Sequence, residues 1–392
     1  MEECTPGAAT LRWLLEPVGE DEFLASWWQQ RACHIPCNDR TRFAKVFSMK
    51  NLEEVLPWQD SPSPGGPSPA LVYAIDSRAP RPHRNAPDLY QTYRDGATVK
   101  IDHIHRRFQP LNRLCRDLET WFHCSVGANV YLTPPASQGF RTHSDHEDVF
   151  ILQIDGDKQW EIWPPHAPLP LRNEDSPLLE DMPPAPQRIL LRPGDFLYVP
   201  RGFPHRAYSE AGSSLHVTIG IHSLLWFDLV VAAARTAARR NTPLREALPP
   251  GFLRHGRLGP EDRERLRGLF TLLAAECDLA EAAGELGKAV IRNQTASLED
   301  HFETLALVAG MTRETRLRKR PGTISLIEQG GSGVSLCFGR KTIRAPLKAL
   351  PALRFIESAD EFAVDDIPGL APDSKLVLAR RLVNEAWLTI LR

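Results

Sequence analysis

Two imidazoles and a carboxylate have the types and spacing to do chemistry in this chain. His143 and Asp145 are separated by one residue, and His205 ends the run Gly202-Phe203-Pro204-His205, 62 residues after His143. Two histidines and one carboxylate that leave positions open are the protein ligands of a mononuclear non-haem iron(II) oxygenase. Residues i and i+2 of an extended segment project to the same face, so His143 and Asp145 can point together into a cavity. A later strand must then bring His205 to the same spot.

The ligand set alone does not name a cosubstrate. Such a triad leaves three iron positions, of which 2-oxoglutarate fills two through its keto oxygen and C1 carboxylate, leaving the third for dioxygen. Its far carboxylate then needs a cation and a hydroxyl, because a buried unpaired carboxylate costs several kcal/mol even after relaxation. Lys158 is the candidate cation, and Tyr131 and Thr218 are the candidate hydroxyls.

The elements that must position these groups read as short strands. Residues 149–154 (VFILQI) form a buried strand and 158–163 (KQWEIW) an alternating one, with Asp155-Gly156 as the turn, which predicts a β-hairpin leaving the first ligand pair. A strand at 188–191, a turn at Pro193-Gly194-Asp195 and a strand at 196–200 deliver His205. Short strands with Gly/Pro turns on both sides of the ligands predict an antiparallel β-barrel or jelly roll, an architecture that includes the cupins.

The runs 129–140 (NVYLTPPASQGF), 143–145 (HSD), 148–153 (DVFILQ), 156–160 (GDKQW) and 193–205 (PGDFLYVPRGFPH) resemble the JmjC-domain ribosomal oxygenases, and most of all their histidyl-hydroxylase branch. These are cupin-like 2-oxoglutarate-dependent protein hydroxylases. The resemblance is strong over the middle of the chain and looser at both ends. It implies iron(II) ligation by His143, Asp145 and His205, and 2-oxoglutarate binding by Lys158 with help from Tyr131. It also implies an α+β chain: a double-stranded β-helix with its N-terminal extension over 1–222, a helical dimerisation module over 223–311 and a winged-helix-like module over 312–392. Where relatives on that branch commonly carry an aromatic residue between the two ligands and an acidic residue just after them, this chain has Ser144 and His146. Both changes sit where a substrate side chain would enter.

With 392 residues the chain is long enough for two or three domains. Its 47 basic and 49 acidic residues give no global field that favours nucleic acid or an acidic membrane. No apolar run of about 18 residues is present, and the start lacks the layout of a signal peptide. Seven cysteines without framework spacing favour free thiols in a reducing compartment. The expected address is the cytoplasm, or the nucleolus or nucleus of a eukaryote. Amphipathic helical patches at 21–30 and 52–58 belong to the N-terminal extension. The stretch 59–69 reads as an exposed loop, and a Pro-rich insert at 164–186 as a rim segment able to hold a protein substrate. Helices follow at 224–240, 261–273 and 279–292. The first is apolar over a wide arc, which fits burial of more than one face in a bundle or a dimer, and a homodimer is expected. Strands at 323–327 and 334–338, a short helix at 349–355 and an amphipathic helix from residue 372 fill the last part. Residues 312–392 hold 14 basic and 9 acidic side chains, net +5, densest at 316–320. A basic run is more often a solvated face than a DNA reader, so specific nucleic-acid binding is not expected.

Other histidines and cysteines take structural readings. His146 faces away from His143 on an ideal strand, which gives it a surface or substrate-facing role. His216 shares a strand with Thr218 and reads as a hydrogen-bonded core histidine. His103-x-His105 lacks a third partner. Cys33-His34-Ile35-Pro36-Cys37 lacks a second Cys/His pair and reads as a buried strand. Trp160 shares the face of Lys158 and packs under the cosubstrate or fills the barrel. Arg201 meets substrate or an acidic rim residue.

The chemistry these readings describe is oxidative decarboxylation of 2-oxoglutarate coupled to hydroxylation of an unactivated carbon, which requires no side-chain general base. Histidine in a ribosomal protein is the expected target, with arginine hydroxylation and lysine demethylation as alternatives of the same iron chemistry. From another class, a non-catalytic metal- or ligand-sensing regulator fits a cupin barrel joined to a winged helix, and turnover of 2-oxoglutarate separates the two.

Overall fold

The computed structural model describes residues 6–56, 72–75, 80–83, 86–165, 167–172, 174, 185–252, 259–294, 298–331 and 333–391. The loop expected at 59–69 lies outside them, as does much of the Pro-rich insert. The chain divides into two units, Met1–Ser223 and Leu224–Arg392.

The first unit runs through helices α1 (Pro6–Leu15) and α2 (Glu20–Ser26), strand β1 (Cys33–Ile35), helix α3 (Met49–Val55), strands β2 (Val72–Ile75) and β3 (Pro80–His83), helix α4 (Ala86–Arg94), strand β4 (Thr98–Ile101) and helix α5 (Gln109–Phe122). Strands β5 (Ser125–Thr133), β6 (Ser137–Gln138), β7 (Asp148–Asp155), β8 (Lys158–Ile162), β9 (Gln187–Leu191), β10 (Phe196–Val199), β11 (His205–Ser209) and β12 (Ser214–His222) follow. They build an eight-stranded sheet in the order β1-β10-β7-β12-β5-β4-β2-β3 and a four-stranded sheet in the order β6-β11-β8-β9. From β5 to β12 the chain changes sheet at every connection except β8 to β9, the wiring of a jelly roll.

That wiring corrects the hairpin expected across Asp155-Gly156. β7 pairs with β10 and β12, whereas β8 pairs with β11 and β9. β7 is buried without a break from Asp148 to Gln153. A strand buried on both faces belongs inside a sheet with a neighbour at each edge, which leaves no edge for β8. The turn therefore carries the chain into the other sheet. Gly156 has φ +63° there, and a Cβ on it would lie 1.9 Å from the carbonyl oxygen of Ser213. Gln153 Nε2 clamps the turn by donating to the carbonyls of Asp155 and Gly156 at 3.1 and 2.7 Å. The turn at Pro193-Gly194-Asp195 likewise joins strands of different sheets.

Alternation along β5 and β12 makes the core and the site together. Val126, Ala128 and Val130 of β5 and Leu215, Val217, Ile219 and Ile221 of β12 are buried in one cluster with Leu111, Leu114, Cys115 and Leu118, which form one face of α5. The residues between them in sequence, Asn129, Tyr131 and Thr133 on β5 and His216 and Thr218 on β12, face a cavity on the other side. A second apolar cluster, with Val149, Ile151, Trp160, Ile162, Leu191 and Leu197, packs the two sheets together.

The second unit holds helices α6 (Trp226–Arg240), α7 (Pro260–Glu276), α8 (Leu279–Asn293) and α9 (His301–Leu307). Strands β13 (Arg316–Lys319), β14 (Ser325–Gly330), β15 (Gly333–Phe338) and β16 (Lys341–Pro346) come next, then helix α10 (Leu350–Ser358), strand β17 (Glu361–Ala363), helix α11 (Pro372–Asn384) and strand β18 (Leu388–Ile390). Two three-stranded sheets, β17-β13-β18 and β14-β15-β16, share a core that includes Leu317, Leu336, Phe338, Ile356, Leu382 and Trp387. Among the described residues no helix is long and apolar enough to cross a membrane.

Candidate metal centre

His143 and Asp145 do not lie on a regular strand. His143 makes a single antiparallel bridge with His205, donating its N–H at 3.2 Å and accepting at 2.8 Å. Gly202 N–H donates to the carbonyl of Asp145 at 2.8 Å. Backbone bonds thus tie together two segments about 60 residues apart in sequence, and they do so at the positions of the three predicted ligands. Gly202 has φ +81°, and a Cβ there would lie 2.6 Å from Pro170 Cδ and 2.7 Å from the Ala167 carbonyl.

One ligand atom from each of His143, Asp145 and His205 falls within 4.8 Å of the other two. His143 Nε2 is 3.7 Å from one Asp145 oxygen and His205 Nε2 is 3.6 Å from the other. Each imidazole turns its Nδ1 to a backbone carbonyl, that of Arg141 at 2.8 Å and that of Phe203 at 3.0 Å. Nδ1–H donation there leaves both Nε2 lone pairs directed at the shared space, the arrangement that fixes a metal-ligating tautomer. Burial, and then the like charge of a protonated His143, lowers the pKa of His205 to about 4. The histidine is neutral at physiological pH. This donor set, N, N and O with converging lone pairs, fits iron(II).

All six residues singled out in the sequence line one cavity of about 230 Å³. Lys158 is 2 % exposed, and its ammonium donates to Thr133 Oγ1, which is also 3.0 Å from Thr98 Oγ1. Burial lowers its pKa to about 7. Thr133 is its one hydrogen-bond partner among the described residues. Thr133 was not singled out in the sequence, although it lies two residues from Tyr131 on the same face of β5. Tyr131 stacks on His216, with ring centroids 4.9 Å apart. Thr218 lies opposite Asn129 on β5 and Ile151 on β7.

Two buried N–H or N atoms in the cavity wall, His216 Nδ1 and Trp160 Nε1, have no hydrogen-bond partner among the described residues. His216 is therefore not the hydrogen-bonded core histidine expected. Burial, and then the charge of Lys158, pushes its pKa well down. A buried cation without a counter-charge together with orphaned polar atoms fits a bound anion with several oxygens. The residues present thus suit 2-oxoglutarate as well as a metal.

Glu147 also lines the cavity and was missed in the sequence. Burial, followed by the charge of Asp145, raises its pKa to about 7. Lys100, another lining residue, lies 2.8 Å from Asp102 and over the rings of Tyr131 and Phe140 at 5.7 and 5.6 Å.

The remaining candidates fall elsewhere. His146 Nε2 donates to the Glu174 carbonyl at 2.7 Å, tying the Pro-rich insert to the ligand segment. His105 accepts from Ala128 N–H at 2.9 Å, and burial lowers its pKa to about 4, so its role is structural. Cys33 to Ile35 form the edge strand β1, and Asp195 holds His34 at 3.1 Å and the Cys37 N–H at 2.8 Å. Arg201 is buried, its N–H 3.4 Å from Asp148 Oδ1.

Residues 103–229 match the family profile of the JmjC domain. Among curated proteins, the bifunctional lysine-specific demethylase and histidyl-hydroxylase NO66 of Drosophila erecta is 27% identical over 351 residues, 84% of this chain and 51% of that protein. The protein of the same name from Drosophila persimilis is 31% identical over 252 residues, 62% of this chain and 36% of that protein. The chain thus spans at most about half the length of these relatives. Among solved structures, the Escherichia coli ribosomal oxygenase YcfD in complex with cobalt and 2-oxoglutarate superposes with a TM-score of 0.57 at 18% identity, over 96% of this chain and 99% of that one. A second structure of E. coli ycfD gives a TM-score of 0.57 at 17% identity over 95% and 98%. The likeness shows that the JmjC/cupin fold is shared.

Proposed function

From the JmjC domain at residues 103–229 we infer that this chain is an iron(II)- and 2-oxoglutarate-dependent protein hydroxylase acting on a histidine of a ribosomal protein. One observation carries the reading: a single cavity joins three converging metal-ligand atoms to a buried lysine that lacks a counter-charge. The relatives named for histidyl hydroxylation and the neighbour named a ribosomal oxygenase supply the target.

His143, Asp145 and His205 would hold the iron, with Arg141 and Phe203 carbonyls fixing both imidazoles. Lys158 would neutralise the distal carboxylate of 2-oxoglutarate, with Thr133 supplying the hydroxyl beside it and Tyr131 and Thr218 the walls of the slot. When bound, iron(II) and 2-oxoglutarate supply the conversion of dioxygen and a C–H bond to succinate, carbon dioxide and C–OH. The chain's part is to orient the reactants and to keep water and stray reductants away. No side chain has to move a proton for this.

Lysine demethylation, for which the same relatives are also named, fits less well. A methyl-ammonium ligand needs free aromatic faces, and Tyr131 and Phe140 already face the Lys100 ammonium. Arginine hydroxylation remains the nearer alternative.

For the second unit we propose a helical dimerisation module up to residue 311 and a winged-helix-like module after it. Trp226 at 84% exposure and Phe302 at 88% support self-association through α6 and α9.

Tandem mass spectrometry of ribosomal proteins incubated with the iron(II)-loaded chain, 2-oxoglutarate and oxygen, against His205→Ala, tests the function. A gain of one oxygen on a histidine is expected. The same gain on arginine moves the assignment to the alternative, and no consumption of 2-oxoglutarate overturns the enzyme.

A further inference from the structure

We propose that Glu147 selects the target side chain: one of its carboxylate oxygens accepts a hydrogen bond from an N–H of the side chain presented to the metal centre. The inference rests on the reading of this cavity as a hydroxylation site and adds to it a specificity-determining residue.

Glu147 stands two residues after Asp145, just before β7 begins, and lines the same cavity. Its two oxygens differ. Oε2 is 3.2 Å from His222 Nδ1. His222 is the last residue of β12, and its carbonyl accepts from the Arg172 guanidinium at 2.9 Å, so the anchor is itself fixed. Oε1 has no hydrogen-bond or ion-pair partner among the described residues. It lies against Gly220, where a Cβ would come within 3.0 Å of it. The absence of a side chain at Gly220 therefore makes room for the carboxylate.

The side chain is 33% exposed, so the free oxygen is reachable rather than sealed. The neighbouring groups are otherwise engaged: Lys100 lies 2.8 Å from Asp102, and the Tyr131 ring stacks on His216. A carboxylate oxygen held in place, partly desolvated and without a donor is a strong acceptor. Its complement is an N–H, strongest when the donor is cationic. Imidazole and guanidinium side chains supply such a group, and aliphatic side chains do not. A carboxylate that served only to clamp β12 would need His222 but no open oxygen.

The test is binding rather than turnover. Pentapeptides Ac-Gly-Ala-X-Ala-Gly-NH2, with arginine, histidine or norleucine at X, are titrated by NMR onto the full chain loaded with zinc(II) and 2-oxoglutarate, native and E147Q. In the native chain the arginine or histidine peptide should bind about tenfold or more tighter than the norleucine peptide. In E147Q that ratio should collapse towards one while norleucine affinity stays unchanged, which also shows that the variant is folded. Equal native affinities overturn the proposal, and so does a ratio that survives in E147Q. Equal weakening of all three peptides assigns Glu147 a structural role and overturns it as well. Because no turnover is needed, a chain that binds selectively but hydroxylates nothing would sink the proposed function and leave this inference standing.

Discussion

Lys158 carries its ammonium into the barrel, and burial brings its pKa down to about 7 from an ordinary 10.5. Between those values the unfolded chain binds a proton that the folded chain does not, so this residue makes stability rise with pH from about 7 to about 10. Lys158→Met should remove that rise, as read from urea denaturation of the metal-free protein across this range. As the proposed anchor, the same residue should link 2-oxoglutarate binding to proton uptake. Affinity should be level below pH 7 and fall by up to about tenfold per unit above it, which calorimetry in buffers of different ionisation enthalpy would show. A level profile to pH 9 would mean that Lys158 is not the anchor. The convergence of His143, Asp145 and His205 and the placing of Lys158 in the same cavity were legible in the sequence, because residue types and spacing are themselves the signal. Thr133 and Glu147 were not, since each owes its place to which face of a strand it takes or to where a strand starts; His216 was placed beside Thr218, but its unpartnered Nδ1 was not foreseen.

At the scale of elements, turns matter more than strands. The sequence showed most strands near the site within a residue or two, yet misassigned the one pairing it predicted, since hydrophobic pattern sets which face is buried but not which edge is paired. The hairpin expected from Asp155-Gly156 became a crossing between sheets for this reason. Gly156→Ala should cost about 3 kcal/mol or more in denaturant unfolding, because a Cβ 1.9 Å from a backbone oxygen cannot be absorbed by a rotamer change. Gly202→Ala acts locally. It should displace the turn that bonds Asp145 and delivers His205, lowering metal affinity by about tenfold or more while the circular dichroism spectrum stays native. Metal titration with cobalt(II) reads this directly, and unchanged affinity would show that the turn does not position the ligands.

At the scale of the molecule, the proposed self-association is what composition least reveals. The wide apolar arc of the 224–240 helix pointed to it, and the exposed Trp226, Phe227 and Val230 of α6 give it a surface. Sedimentation equilibrium should show a dimer, and Trp226→Glu with Val230→Glu a monomer with the same helical content. A dimer that survives both changes would exclude this face. The larger sheet has a further consequence, which concerns the order of synthesis. Strand β12, the last of the barrel to be made, pairs on one side with β5 and on the other with β7. Until His222 has left the ribosome, β5 and β7 each present an unpaired edge, and the long-range pairing that closes them is intrinsically slow. A released chain truncated before residue 214 should therefore engage chaperones and retain no metal, although His143, Asp145 and His205 are all present in it.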